Sequence, residues 1–274
     1  GYENIKTVFT IHNIQYQGVY GKELIDNVIG LDYSHKNLIE YDDTVNFSKA
    51  AIECANAVST VSPSYAKEIL DPWYSHGLDT ILKERSFKLR GILNGIDVEN
   101  YNPETDKDIF KNYSAEKMTG KATNKRELQK FFGLPEKKDT PVMGMVTRLV
   151  SHKGLDLCKA VLDELLATTD IQLVVLGSGD TEYEDFFRGL ASRFPEQVGL
   201  CLGFIPDLAR KIYAGSDLFL MPSKSEPCGL AQMISSRFGT IPIIRETGGL
   251  KDSIKDFGYG EAGNGYTFAS YNSA

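Results

Sequence analysis

This chain has little of what marks several large classes of protein. Of its 274 residues, four are cysteine, four are histidine and one is tryptophan. The cysteines, Cys54, Cys158, Cys201 and Cys228, are scattered. They show neither the paired spacing of a metal site nor the density of a disulfide framework. Reduced thiols in a cytoplasmic protein are the simplest expectation. His12, His35, His76 and His152 show no metal-ligand spacing either. No apolar run reaches the roughly 20 residues of a membrane-spanning helix. No basic segment followed by an apolar one opens the chain, so no signal peptide is expected. Positive charge is also short: 30 Lys and Arg stand against 37 Asp and Glu, a net charge of −7. That balance argues against nonspecific nucleic-acid binding and leaves room for a local basic site.

What is present is an ordinary globular balance, with 42% hydrophobic and 24% charged residues. The length suits one large domain or two ordinary ones. After residue 140 the pattern is regular. Apolar runs at 142–147, 172–176, 198–202, 217–223 and 241–244 read as strands. Helical patterns at 155–165, 183–194, 208–214 and 230–238 lie between them. Such alternation predicts βαβ units and a parallel sheet. Before residue 93 a strand at 7–11 and short strands at 58–61 and 89–93 mix with loops and helices. One of these helices spans 50–57 with Ser48 as N-cap, and another opens on Ser62-Pro63. The polar stretch between the halves reads as a connection with one docked helix over 124–132. The expected division is therefore 1–93, 94–139 and 140–274. The chain opens almost on a strand and stops soon after one at 265–268, so an internal piece of a longer protein is expected.

The residues able to carry chemistry fall in the turns after these strands, which a parallel sheet gathers at one edge. Ser225-Glu226-Pro227-Cys228-Gly229-Leu230 follows an apolar run and opens the helical pattern Leu230, Met233, Ile234, Phe238. It sets a carboxylate beside a helix start whose N–H groups suit an anion. The plainer alternative is a carboxylate favoured by the helix dipole. Cys228 is either a contact residue or a small hydrophobe. In the segment Arg148 to Gly154, Arg148 and Lys153 flank a tight connection. They either converge on one diphosphate, as a planar fork and a point charge, or stand as two solvated cations. Gly177-Ser178-Gly179-Asp180 permits close backbone approach to a ligand, but lacks the third glycine of the dinucleotide fingerprint. Phe204 either stacks on a base or fills the core. Thr247-Gly248-Gly249-Leu250 follows the next strand. Near the start, His12-Asn13 follows the first strand, with Tyr16-Gln17-Gly18 beyond. That imidazole either hydrogen-bonds a sugar hydroxyl or is a satisfied structural histidine.

In this order, the segments 8–13, 16–18, 61–66, 93–97, 148–157, 177–180, 222–230 and 247–250 resemble bacterial glycogen synthases and plant starch synthases, nearly end to end. The resemblance implies an α/β chain of the GT-B type, with two Rossmann-like domains facing across a cleft. Here that means a Rossmann-like C-terminal domain, a parallel sheet with helices on both faces, and a partial N-terminal one. It implies retaining transfer of glucose from ADP-glucose to the nonreducing 4-hydroxyl of an α-1,4-glucan, glycogen or starch, with ADP released. No cofactor, nucleic acid or membrane is implied, and the place is the cytoplasm, or the plastid for a plant source. By resemblance, Arg148 and Lys153 hold the diphosphate and stabilise the departing ADP. Glu226 contacts the donor glucose, and Cys228, Gly229 and Leu230 bring helix-start amides near sugar and phosphate. Gly177 and Thr247 belong to the same donor site, and Phe204 lies against adenine. His12 reaches the glucose from the other domain, and Asn94 lies near the domain connection. Whether retention proceeds by same-face attack or double displacement stays open. Two departures stand out. Ala231 replaces the family's usual Thr, and no Lys-x-Gly-Gly-Leu loop precedes Gly1. The resemblance therefore implies a piece with weak or no activity. The alternatives are a non-catalytic module binding nucleotide sugar or glucan, and a related transferase using UDP-glucose.

Overall fold

Short apolar runs rich in branched residues form strands, and the polar segments between them form helices, across the residues that the computed structural model describes, 4–273. The chain divides into two compact units between Asn94 and Gly95.

The first unit contains β1 (Val8–Ile11), β2 (Val19–Tyr20), β3 (Glu40–Tyr41), β4 (Thr44–Asn46), α1 (Phe47–Cys54), β5 (Ala57–Thr60), α2 (Pro63–Glu68), α3 (Pro72–Ser75), α4 (Asp79–Glu84) and β6 (Leu89–Gly91). Strands β1, β5 and β6 form a parallel sheet in the order β1-β5-β6. A second sheet, β2-β4-β3, is antiparallel and was not expected. Its strands have only two or three residues, too few for an alternating pattern to show. Asp42 and Asp43, both at positive φ (46° and 60°), make its tight turn. Helix α1 starts earlier than expected because Asn46, not Ser48, caps it: the Asn46 side chain accepts from Lys49 N at 2.9 Å. Asn serves as well as Ser at this position. In α2 the expected cap holds, with Ser62 Oγ accepting from Tyr65 N at 3.1 Å and Pro63 in the first turn.

The second unit contains α5 (Thr119–Phe131), β7 (Val142–Val146), α6 (Leu155–Thr168), β8 (Gln172–Gly177), α7 (Thr181–Arg193), β9 (Val198–Leu202), α8 (Pro206–Gly215), β10 (Leu218–Met221), α9 (Ala231–Arg237), β11 (Ile241–Arg245), α10 (Gly248–Ser253) and β12 (Tyr266–Phe268). The six strands run in the order β12-β11-β10-β7-β8-β9, every pair parallel. Alternate residues of a strand face opposite sides, and the core follows suit. Met143 and Met145 pack with Leu155, Leu162 and Leu166 of α6 and Phe187 of α7. Val142 and Val174 pack with Leu128 of α5 and Ile212 of α8. The parallel sheet is the one the alternation predicted, and helices cover both of its faces, as the resemblance implied.

Helix α5 begins before the expected 124–132. Asn124 lies inside it and is fully buried. Its Oδ1 accepts from Phe110 N at 2.9 Å and its Nδ2 donates to Lys111 O at 2.6 Å, which ties the preceding loop to the helix. That polar loop is packed: Ile109 and Tyr113 are core residues, and Asp106 pairs with Arg210 at 2.6 Å. Among the described residues, no helix is long and apolar enough to cross a membrane.

Candidate functional site

Because β7 is hydrogen-bonded to both β8 and β10, the chain leaves β7 toward β8 and β9, then returns to its other side at β10. The adjacent carboxyl ends of β7 and β10 therefore form a topological switch point, where open α/β sheets take their ligands. The loop after β7 carries Arg148 to Lys153, and the loop after β10 carries Ser223 to Leu230. Gly154 lets these loops touch. It sits at φ 73°, and a Cβ there would stand 2.0 Å from Pro222 O. Lys224 N and Ser225 N both donate to His152 O, at 2.9 and 3.4 Å.

Here the side chain of Lys153 meets Glu226, with Nζ 2.6 Å from Oε2. The two side chains are only 15% and 9% exposed, so this is a buried ion pair. Ser223 Oγ donates to the same carboxylate oxygen at 3.2 Å. The carboxylate was expected at a helix start, but α9 begins only at Ala231. Pro227 and Gly229, the latter at φ 70°, prolong the turn, so Lys153 and Ser223 answer the charge in place of the helix dipole. His152 is half-buried, and Arg148 Nη2 lies 3.5 Å from its Nε2. Burial, then Lys153 and Arg148, hold the imidazole pKa below its ordinary value, against the smaller pull of Glu226 and Asp180.

The other turns meet this edge. Gly177 supplies a close approach, but to protein: a Cβ there would stand 2.0 Å from Thr147 O. Beside it opens a cavity of about 440 Å³, lined by Thr147, Arg148, Gly177, Ser178, Phe204 and Ile205 among others. Phe204 is 90% exposed, so it is a wall of this cavity and not a core residue. Cys228 is buried, and Gln232 Nε2 donates to the carbonyls of Cys228 and Gly229 at 3.1 and 2.9 Å. Gly249 N donates to Glu226 O and Pro227 O at 3.2 and 3.1 Å, so the turn that begins at Thr247 braces the Glu226 segment. Thr247 itself is fully buried, whereas Leu230 is exposed.

In the first unit, His12 is exposed directly past the end of β1. Gln17, beside it in the motif, is buried and structural: it donates to His76 O at 2.9 Å and accepts from Asn46 Nδ2 at 2.7 Å. Asn94 is half-buried at the last residue of this unit. The structure thus gathers Arg148, Lys153, Gly177, Phe204 and Glu226 along one edge of the six-stranded sheet, while His12 and Asn94 belong to the other unit. Sequence reasoning missed Ser223, Gln232 and His152. The position of His152 between Arg148 and Lys153 was the one visible signal.

Comparison with known proteins finds relatives of both units. The family described as "Starch synthase catalytic domain" matches residues 1–84, and that described as "Glycosyl transferases group 1" matches residues 126–274. A glycogen synthase of Bacillus cereus is 50% identical over 275 residues, 99% of this chain and 57% of its own length. One from Desulforamulus reducens is 50% identical over 274 residues, with the same shares. The solved catalytic domain of starch synthase IV from Arabidopsis thaliana, bound to ADP and acarbose, has a TM-score of 0.89 and 38% identity, over 97% of this chain and 57% of that one. The chain spans a little over half the length of these relatives. The matched segments, their identity and the doubly wound parallel sheet lead to one conclusion: the chain belongs to the glycogen and starch synthase family of GT-B glycosyltransferases.

Proposed function

We propose that this chain carries the donor-binding side of a glycogen or starch synthase, which moves glucose from ADP-glucose to the nonreducing 4-hydroxyl of an α-1,4-glucan with retention. The observation that carries this reading is the pairing of Lys153 with Glu226 across the β7/β10 switch point, with Arg148 in the wall of the adjoining cavity. Departure of ADP from glucose puts negative charge on the diphosphate. Arg148 and Lys153 supply fixed positive charge there, inside a partly buried site where it counts for more than in water. The charge left on the sugar is positive, and Glu226 is the carboxylate at hand to balance it and to accept from sugar hydroxyls. Phe204 offers a flat face to the adenine. The related starch synthase IV is bound to ADP and acarbose, a nucleotide and a saccharide, which supports an adenine-nucleotide donor and a sugar-chain acceptor.

Isothermal titration with ADP tests the reading. The folded chain should bind ADP, and Lys153→Ala should weaken binding roughly tenfold or more, the loss of one charge-assisted hydrogen bond. A folded sample that shows no binding at millimolar ADP would refute the assignment. ADP release from ADP-glucose in the presence of glycogen separates a transferase from a module that only binds.

A further inference from the structure

His152 lies between the two cations of the proposed clamp and is not explained by the fold. Its backbone already serves the structure, since His152 O accepts from Lys224 N and Ser225 N. Those hydrogen bonds do not use its ring. It stands half-buried in the loop between Arg148 and Lys153, with Nε2 3.5 Å from Arg148 Nη2. A guanidinium has only donors, so a hydrogen bond here would need Nε2 unprotonated. The lowered imidazole pKa agrees in direction with a neutral ring.

The groups that face the ring define its electrostatics. Lys153 and Arg148 disfavour a proton, Glu226 and Asp180 favour one, and burial outweighs each of them. Lys224, on the loop packed against His152, turns its ammonium to the Tyr271 ring, 5.7 Å from its centroid. An anion held between Arg148 and Lys153 would reverse this balance. It cancels the two repelling charges and adds an attracting one within a few ångströms of Nε2.

We propose that His152 is the third member of the diphosphate clamp: on nucleotide binding its ring gives up the contact with Arg148, takes a proton from solvent and donates to the diphosphate. This rests on the donor-site reading above and extends it from two permanent cations to a third that is charged only when needed. The site then binds a nucleoside diphosphate together with one proton. Its affinity should rise as pH falls toward the imidazole range, beyond what titration of the nucleotide itself produces. By linkage, each unit by which the bound anion raises the imidazole pKa gives about a tenfold gain in affinity at low pH.

The test follows the imidazole resonances of the whole chain by NMR, from pH 5 to 8, with and without ADP. His152→Gln identifies the signal, and its amide can still accept from Arg148. The expected result is a His152 pKa that moves up when ADP binds. Titration calorimetry should show wild-type affinity gaining several-fold over His152→Gln between pH 8 and pH 6, with proton uptake that the variant lacks. The comparison cancels the titration of ADP, which both proteins share. ADP binding with an unmoved His152 resonance, or equal pH profiles for the two proteins, would overturn the inference and leave the donor site standing. Failure of both proteins to bind ADP would overturn the donor-site reading and the inference with it.

Discussion

Lys153 and Glu226 are opposite charges withdrawn from water, and such pairs matter most when one partner is removed. Lys153→Ala leaves the Glu226 carboxylate, 9% exposed, with Ser223 Oγ as its remaining side-chain donor. The expected cost is about 3 kcal/mol of unfolding free energy, typical of a broken buried pair. Adding Glu226→Gln should return more than half of it, because an amide oxygen can still accept from Ser223 without a net charge. Urea denaturation of the wild type, the single variant and the double variant checks this. An unchanged midpoint in Lys153→Ala would mean that the pair is solvated. The identities of Arg148, Lys153 and Glu226 were legible in the sequence, as charged residues in turns after apolar runs. Their contact was not. Lys153 and Glu226 are 73 positions apart, and nothing local to either segment says that β10 returns to the side of β7.

Among the elements, α5 is fastened by an unusual charge. The Lys121 side chain is partly exposed, yet its ammonium turns inward, donating to Ala214 O at 3.1 Å and Thr240 Oγ1 at 2.8 Å. Burial holds its pKa down at about 7, despite the opposing pull of Asp217. The unfolded chain keeps a lysine pKa near 10.4. Between about pH 7 and about pH 10 the unfolded state therefore binds more protons than the folded one, and stability rises with pH. Below pH 7 both states are protonated and the cost of burying the charge is present in full. Lys121→Met removes that cost. It also removes the two hydrogen bonds, a loss carried at every pH, so its stability relative to wild type should be highest at pH 7 and below and fall toward pH 10, by at most about 1.4 kcal/mol per pH unit. Parallel urea titrations at several pH values measure this, and a pH-independent difference would contradict it. At this scale the sequence was most readable where apolar runs were long, from β7 to β11. It was least readable where strands were two residues long, as in β2 and β3, or where a neighbouring residue took the capping role, as Asn46 did from Ser48.

For the molecule as a whole, the parallel order of the second sheet puts its site at one edge. The loops after β7, β8, β9 and β10 all leave the same side, and a net charge of −7 coexists with a cationic cluster of Arg148 and Lys153 there. A ligand that binds only the folded chain stabilises it by about 2.7 kcal/mol at a hundred times its Kd. The topology says where that stabilisation should appear. Hydrogen exchange with saturating ADP should slow in residues 147–154, 177–180, 203–206 and 223–230, and in the strands that lead into them. The amides of β1, β5 and β6, which form a sheet of their own, should exchange at unchanged rates. Protection would then follow the carboxyl edge of one sheet through four segments distant in sequence, the pattern expected of a ligand at a switch point. Protection centred instead on α5 and the start of β10, at the amino edge of the same sheet, would place the nucleotide at the wrong end of the strands and refute the assignment of Arg148, Lys153 and Glu226 together.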